Sequence, residues 1–203
     1  MRLLVLASAL VLLPSALAAQ APKGGGAAAT SLTEAQQIAS AVLPLPAEFR
    51  GDARVLGYRA GSRALVPLRE SGGAFTCLAS EPAASRFHVA CYHKSLEPFM
   101  ARGRALRASG VKGDEVDSVR FREIRAHKLT MPTHPAALYS LTGAVGSYDP
   151  AANAANGARP LSVIYISGAT AESTGLSATP REGAPWIMFP GTPKAHIMLV
   201  PKM

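Results

Sequence analysis

The sequence lacks the short motifs that usually reveal an enzyme. It has no G-x-S-x-G nucleophile elbow, no H-E-x-x-H zinc motif, no phosphate-binding loop and no dinucleotide fingerprint. Ser109 and Lys112 match S-x-x-K by their letters, but this serine lies at the predicted end of a helix, whereas that chemistry places it where a helix begins. The motifs therefore identify no catalytic residue and require no cofactor, and they leave open whether the protein is an enzyme.

Aromatic residues are also scarce, at 6% of the chain, although the formal net charge is +8. Seven of the arginines and lysines lie within 102–125, and no finger or RNA-binding signature accompanies them. This composition argues against nucleic acid as a partner. We expect a solvated arginine-rich face; the alternative is an anion-binding surface in which Arg102, Arg104 and Arg107 hold an acidic envelope polymer.

Long apolar runs are absent beyond the N-terminus. There, Arg2 supplies one positive charge, an apolar run covers 3–13, and the small residues of Ala16-Leu17-Ala18 follow. This order is typical of a cleavable signal peptide, and the run is shorter than the roughly 20 residues of a spanning helix. We predict a signal peptide over 1–18 and export to a periplasm or the medium, with no later transmembrane segment. Removal of Arg2 lowers the formal net charge from +8 to +7.

Only two cysteines are present, Cys77 and Cys91. Each lies in a short run of strand-forming residues, and the stretch between them, 80–86, is rich in turn formers. An even count favours a disulfide in an oxidising compartment. We predict a hairpin whose strands are bridged at Cys77 and Cys91, with Phe75 opposite His93. The alternative is a catalytic thiol or a metal-binding pair, although neither cysteine belongs to a C-x-x-C arrangement.

The remaining pattern predicts one α+β domain over 31–203, preceded by a small-residue linker over 19–30. Two amphipathic segments predict the main helices, over 33–43 and 96–109. Too few helices separate the strands for a parallel sheet, so we expect a mostly antiparallel one. The predicted strands are 53–59, 63–69, 75–79, 87–93, 119–126, 128–131, 137–142, 161–167, 186–189 and 195–200.

Two long connections interrupt this pattern. Residues 144–160 are rich in alanine, asparagine and glycine, and we expect a mobile hairpin insertion there. Residues 168–185 show no periodic pattern, and loops of that length are usually functional or disordered. Polar and charged side chains on this loop, with an aromatic wall behind them, form a candidate site for a small polar ligand. The candidate ligand-binding residues are Glu172, Ser173, Ser177, Arg181 and Trp186.

Histidines supply the remaining candidate chemistry. His93 and Glu97 are four residues apart, and with His134 and His196 they form a hypothetical set of metal ligands, because two imidazoles and a carboxylate suit zinc or iron. The alternative is that these histidines lie at strand ends and bond to the backbone. The methionines in apolar contexts are predicted to fill the core, and the alternative is copper handling in the envelope: Met100, Met131, Met188 and Met198.

These patterns favour an exported domain, without enzymatic activity, that binds a ligand or a partner in the cell envelope or outside the cell. The first alternative is a metal-assisted hydrolase that uses the His/Glu set. The second is a structural envelope protein held to acidic polymer by its arginine-rich helix, in which case added salt would weaken the binding.

Overall fold

Five helices and ten strands make up the described part of the chain, residues 32–181 and 183–201 of the computed structural model. The predicted signal peptide and linker lie outside the described residues. The helices are α1 (Glu34–Ala41), α2 (Ala47–Arg50), α3 (Glu97–Ala108), α4 (Glu115–Arg125) and α5 (Ala171–Thr174). The strands are β1 (Arg54–Tyr58), β2 (Leu65–Arg69), β3 (Phe75–Leu78), β4 (Phe87–His93), β5 (Ala136–Gly143), β6 (Tyr148–Asp149), β7 (Ala154–Ala155), β8 (Arg159–Tyr165), β9 (Trp186–Met188) and β10 (His196–Leu199).

Eight of the strands form one sheet in the order β2-β1-β3-β4-β5-β8-β10-β9. All neighbours are antiparallel except β1 and β3, which run parallel. The predicted class, α+β with a mostly antiparallel sheet, is confirmed.

Helices cover both faces of this sheet. Two neighbouring residues of β4 show which helix covers each face, because successive side chains of a strand point to opposite faces of the sheet. Cys91 packs with Ala41 of α1, whereas Tyr92 packs with Leu96 and Met100 at the start of α3. Among the described residues, no helix is long and apolar enough to cross a membrane.

The first helix has Thr33 as its N-cap. The Thr33 hydroxyl accepts a hydrogen bond from the Gln36 backbone N–H at 3.2 Å, and the Gln36 side chain accepts one from the Thr33 N–H at 2.9 Å. This reciprocal capping box satisfies two backbone donors at the helix start. The other predicted main helix is also present as α3, with Pro98 in its first turn, where no intrahelical donor is needed.

The cysteine hairpin has the predicted register. Cys77 of β3 lies opposite Cys91 of β4 and is joined to it by a disulfide, and Phe75 lies opposite His93. Both cysteines are fully buried. The bridge therefore fixes two central strands of the sheet to each other.

The prediction of strands over 119–126 and 128–131 was wrong. Helix α4 occupies 115–125, and 128–131 contains no strand. The buried residues of α4 are Val116 and Arg120, which are four positions apart and therefore lie on one helical face. Because one of them is an arginine, the apolar pattern did not reveal the helical period, and Val119 and Phe121 imitated a strand.

The two long connections are more ordered than their composition indicates. Residues 144–160 contain the predicted hairpin as β6 and β7. Residues 168–185 contain α5, which has a capping box between Thr170 and Ser173 and ends at Gly175 in the left-handed region with φ 69°.

Candidate ligand-binding site

Two cavities share a wall formed by the connection between β3 and β4. One has a volume of about 290 Å³ and the other of about 470 Å³. Both are lined by Ser80, Glu81, Ala84 and Arg86. The connection between two strands of the cysteine hairpin thus faces a concavity on each side.

The smaller cavity is mainly apolar. Its walls include Leu32, Phe87, Val145 and Tyr148, and the Phe87 and Tyr148 rings stack with centroids 6.2 Å apart and an interplanar angle of 8°. The Tyr148 hydroxyl donates to Asn153 Oδ1 at 3.0 Å, so both the ring and the hydroxyl of Tyr148 have contacts within the protein. Val145 is 55% exposed at this cavity, which leaves apolar surface open to a ligand.

A buried glutamine fixes the position of α1 at this cavity. Gln37 Nε2 donates to the carbonyl oxygens of Leu32 at 3.2 Å and Tyr58 at 2.9 Å, and Gln37 Oε1 accepts from the Tyr58 N–H at 2.9 Å. Each side-chain atom therefore has a partner, as a buried amide requires. These hydrogen bonds hold the start of α1 against β1.

The larger cavity combines an apolar floor with polar groups. Leu78 and Ala90 line it together with Tyr58, His88 and Thr142. His88 Nδ1 lies 2.8 Å from the Thr142 hydroxyl, and the His88 N–H donates to the Ser80 hydroxyl at 3.0 Å. Partial burial is the main reason that the pKa of the Tyr58 phenol is raised above its usual value, and the nearby Glu81 carboxylate is the second. The phenol is protonated at neutral pH and can donate a hydrogen bond.

The charges on the shared wall are unequal. Glu81 forms an ion pair with Arg63. Arg86 makes no ion pair with any other described residue. Arg86 is thus an exposed guanidinium on the wall that the two cavities share, without a counter-ion among the described residues, an arrangement that favours an anionic group.

The predicted ligand loop lies elsewhere. The Ser173 hydroxyl accepts from the N–H of Thr170, the N-cap of α5, at 2.9 Å, and the Ser177 hydroxyl accepts from the Thr179 N–H at 3.0 Å, so both hydroxyls support the loop itself. Trp186 is buried in β9, while Glu172 and Arg181 are exposed. None of the five predicted residues lines either cavity.

The predicted metal ligands have separate partners. His93 Nδ1 lies 2.8 Å from the Ser95 hydroxyl, and His196 Nδ1 lies 2.7 Å from the Lys194 carbonyl oxygen. Glu97 accepts from the Tyr92 hydroxyl at 2.5 Å and from Arg104 at 2.7 Å, and His134 lines a third cavity. Within residues 32–181 and 183–201, no three His, Cys, Asp or Glu side chains form a group that could hold a metal ion.

The arginine-rich helix is partly neutralised within the chain. Arg102 binds Glu123 through two nitrogens, at 2.8 and 2.5 Å, and Arg104 binds Glu97 and the Tyr92 hydroxyl. Of the three predicted anion-binding arginines, Arg107 alone has no ion pair in the described structure. The guanidinium groups therefore do not form a continuous cationic row.

Sequence reasoning missed the residues of the shared wall. A signal was present, because the connection over 79–86 is longer than the two to five residues typical of a hairpin loop and carries two charges. Its role depends on the residues that surround it, which come from α1, β1 and the 144–150 segment. Comparison with known proteins adds no assignment: no protein family, curated protein or solved structure matches this chain.

Proposed function

We propose that this protein is an exported domain that binds a small amphiphilic anion. The observation that carries the proposal is the position of Arg86, an exposed guanidinium that has no ion pair among the described residues and lies on the wall shared by two mainly apolar cavities. The apolar part of the ligand would lie against Phe87 and Tyr148. Its acidic group would bind Arg86, with the Tyr58 hydroxyl as a further donor.

A saturated carboxylate of six to eight carbons is a suitable probe, because it combines one acidic group with a short chain. Burial of a CH₂ group contributes about 0.8 kcal/mol. Octanoate should therefore bind about 15-fold more tightly than hexanoate if both added carbons enter the cavity. Uncharged 1-octanol should bind more weakly than octanoate, since it lacks the ionic contact.

Isothermal titration calorimetry of the mature protein tests this proposal. Arg86→Gln should weaken octanoate binding about 10-fold, in line with loss of one charge-assisted contact, and leave 1-octanol binding unchanged. Arg107→Gln is the matched control, because Arg107 is an exposed arginine without an ion pair in the described structure and lines neither cavity. Equal loss in the two variants, or no saturable octanoate binding to the wild-type protein, would refute the proposal.

Export is part of the proposal and rests on the N-terminal sequence, with support from the Cys77–Cys91 bridge. Expression of the full chain in a secreting bacterial host should give a mature protein that begins at Ala19. N-terminal sequencing of the protein from the periplasm or medium measures this. Recovery of intact chains that still begin at Met1 in the cytoplasm would contradict it.

A further inference from the structure

A third cavity lies at the other end of β5 from the ligand-binding site. Its volume is about 520 Å³, and it lies where α4 ends, where β8 ends and just before β5 begins. Ile124, Ile166 and Ser167 contribute to its walls. Three side chains that are able to bind a metal line the same space: His127, Met131 and His134.

The backbone of His127 is held in a conformation that usually belongs to glycine. Its φ is +55°, its N–H donates to the Ile124 carbonyl at 3.0 Å, and the Lys128 N–H donates to the Glu123 carbonyl at 2.8 Å. These bonds close the C-terminus of α4 at a position where glycine is the common residue. A residue with a side chain is strained in this conformation, so histidine at position 127 makes the cap less stable than glycine would.

The two histidines at this cavity are also the two whose rings have no hydrogen-bond partner in the part of the chain that the structure describes. The chain has five histidines, and His88, His93 and His196 each hold a hydrogen-bond partner. Neither His127 nor His134 forms a side-chain hydrogen bond with another described residue. Both side chains are exposed, and each ring in its neutral form has one nitrogen lone pair that can bind a cation.

Met131 supplies a sulfur donor at a fixed place. It is half-buried and packs against the core cluster that contains Tyr92 and Tyr165, while it also lines the cavity. No carboxylate lines this space. The donor set is thus two imidazoles and one thioether, which are borderline and soft ligands rather than the oxygen ligands of magnesium or calcium.

The charges around the cavity favour a monovalent ion over a divalent one. Arg125 and Lys128 flank His127 in sequence, and no acidic side chain at the cavity offsets them. The C-terminus of α4 carries the negative end of the helix dipole, which offers limited compensation. From these observations we propose that His127, Met131 and His134 bind a soft monovalent cation of the Cu(I) class.

Silver(I) is the appropriate probe, because it has the same charge and ligand preference and needs no reductant that would open the disulfide. Titration of the mature protein, without a histidine tag and in chloride-free buffer, should show one tight site per chain. Met131→Leu keeps the apolar packing and should weaken that site at least 10-fold, as should His134→Gln. His93→Gln is the control and should leave it unchanged.

His127→Gly separates a ligand role from a structural one. Because glycine relieves the strained cap, this variant should have a higher Tm than the wild-type protein while losing at least 10-fold in silver affinity. On silver addition, NMR spectra of the wild-type protein should show shifts of the Met131 methyl and of the His127 and His134 rings. Wild-type silver affinity retained in all three variants would overturn the proposal, and so would tighter binding of zinc than of silver.

Discussion

Arg120 is a buried charge whose neighbours allow a specific prediction about stability. Its side chain is 4% exposed, its guanidinium lies 3.7 Å from the centre of the Phe99 ring, and one nitrogen donates to the Phe99 carbonyl at 3.1 Å. Another nitrogen pairs with Asp117, which also accepts from Lys194 at 2.7 Å. The Arg120 Nε is buried and has no hydrogen-bond partner.

The two members of this ion pair should respond unequally to mutation. Asp117→Ala leaves the Arg120 charge buried without a counter-ion, and breaking a buried pair in this way costs about 3 kcal/mol or more. Arg120→Met keeps the apolar stem, removes the unpaired Nε and leaves Asp117 bound to Lys194. We expect that variant to lie within about 1 kcal/mol of the wild-type free energy of unfolding.

Gly103 of α3 provides an independent check. A Cβ at this position would lie 2.8 Å from one terminal nitrogen of Arg120 and 3.3 Å from its Cζ. Alanine is usually more stable than glycine in a helix interior by about 0.5–1 kcal/mol. Gly103→Ala should therefore destabilise the wild-type protein and stabilise the Arg120→Met variant, which is a coupling between residues in contact.

Urea unfolding followed by circular dichroism and by Trp186 fluorescence measures these differences. Arg122→Met, at an exposed position of the same helix, is the control and should change stability by less than about 0.5 kcal/mol. The reasoning is refuted if Arg120→Met costs as much as Asp117→Ala. It is also refuted if Gly103→Ala has the same effect in both backgrounds.

Two further predictions concern the disulfide and a buried histidine. The double variant Cys77→Ala/Cys91→Ala should lose about 3 kcal/mol of unfolding free energy, because the bridge closes a loop of 14 residues; urea unfolding of the two proteins would contradict this if their midpoints coincide. Burial, and the nearby Lys194 charge, lower the pKa of His196 below 6.5. The neutral ring is therefore favoured in the folded state. The contribution of His196 to the free energy of unfolding is complete above pH 6.5, and as the pH falls below 6.5 it decreases by up to about 1.4 kcal/mol per pH unit. The stability difference between the wild-type protein and His196→Gln should shrink from pH 7.5 to pH 5 in urea unfolding, and a constant difference would contradict the assignment.

Elements with local signals could be predicted from the sequence. Helix α3 carries an acidic residue and a proline in its first turn and is followed by Gly110, and the structure places it at Glu97–Ala108. The cysteine hairpin was predictable because its alternating pattern and its even cysteine count both favoured the same pairing. In each case the residues that specify the element lie within it.

Elements that depend on distant partners could not be predicted in this way. Burial of Arg120 requires the ring and carbonyl of Phe99 on α3 and the carboxylate of Asp117, and without them the α4 pattern resembles a strand. The cavity lined by Tyr58 depends on the parallel pairing of β1 with β3, which brings Tyr58 close to the β3–β4 connection. No periodicity within either strand indicates that pairing.

The disulfide connects the predicted compartment with the proposed ligand site. The loop that it closes includes the whole shared wall, from Ser80 to Arg86, and Arg86 lies five residues before Cys91. Pairing of β4 with β5 holds the other side of the same strand. Because affinity depends on how much freedom binding must remove, a bridge that limits the backbone motion of this connection would reduce the cost of ordering Arg86 around a ligand. Under the proposed function, an oxidising compartment would therefore support ligand binding as well as stability.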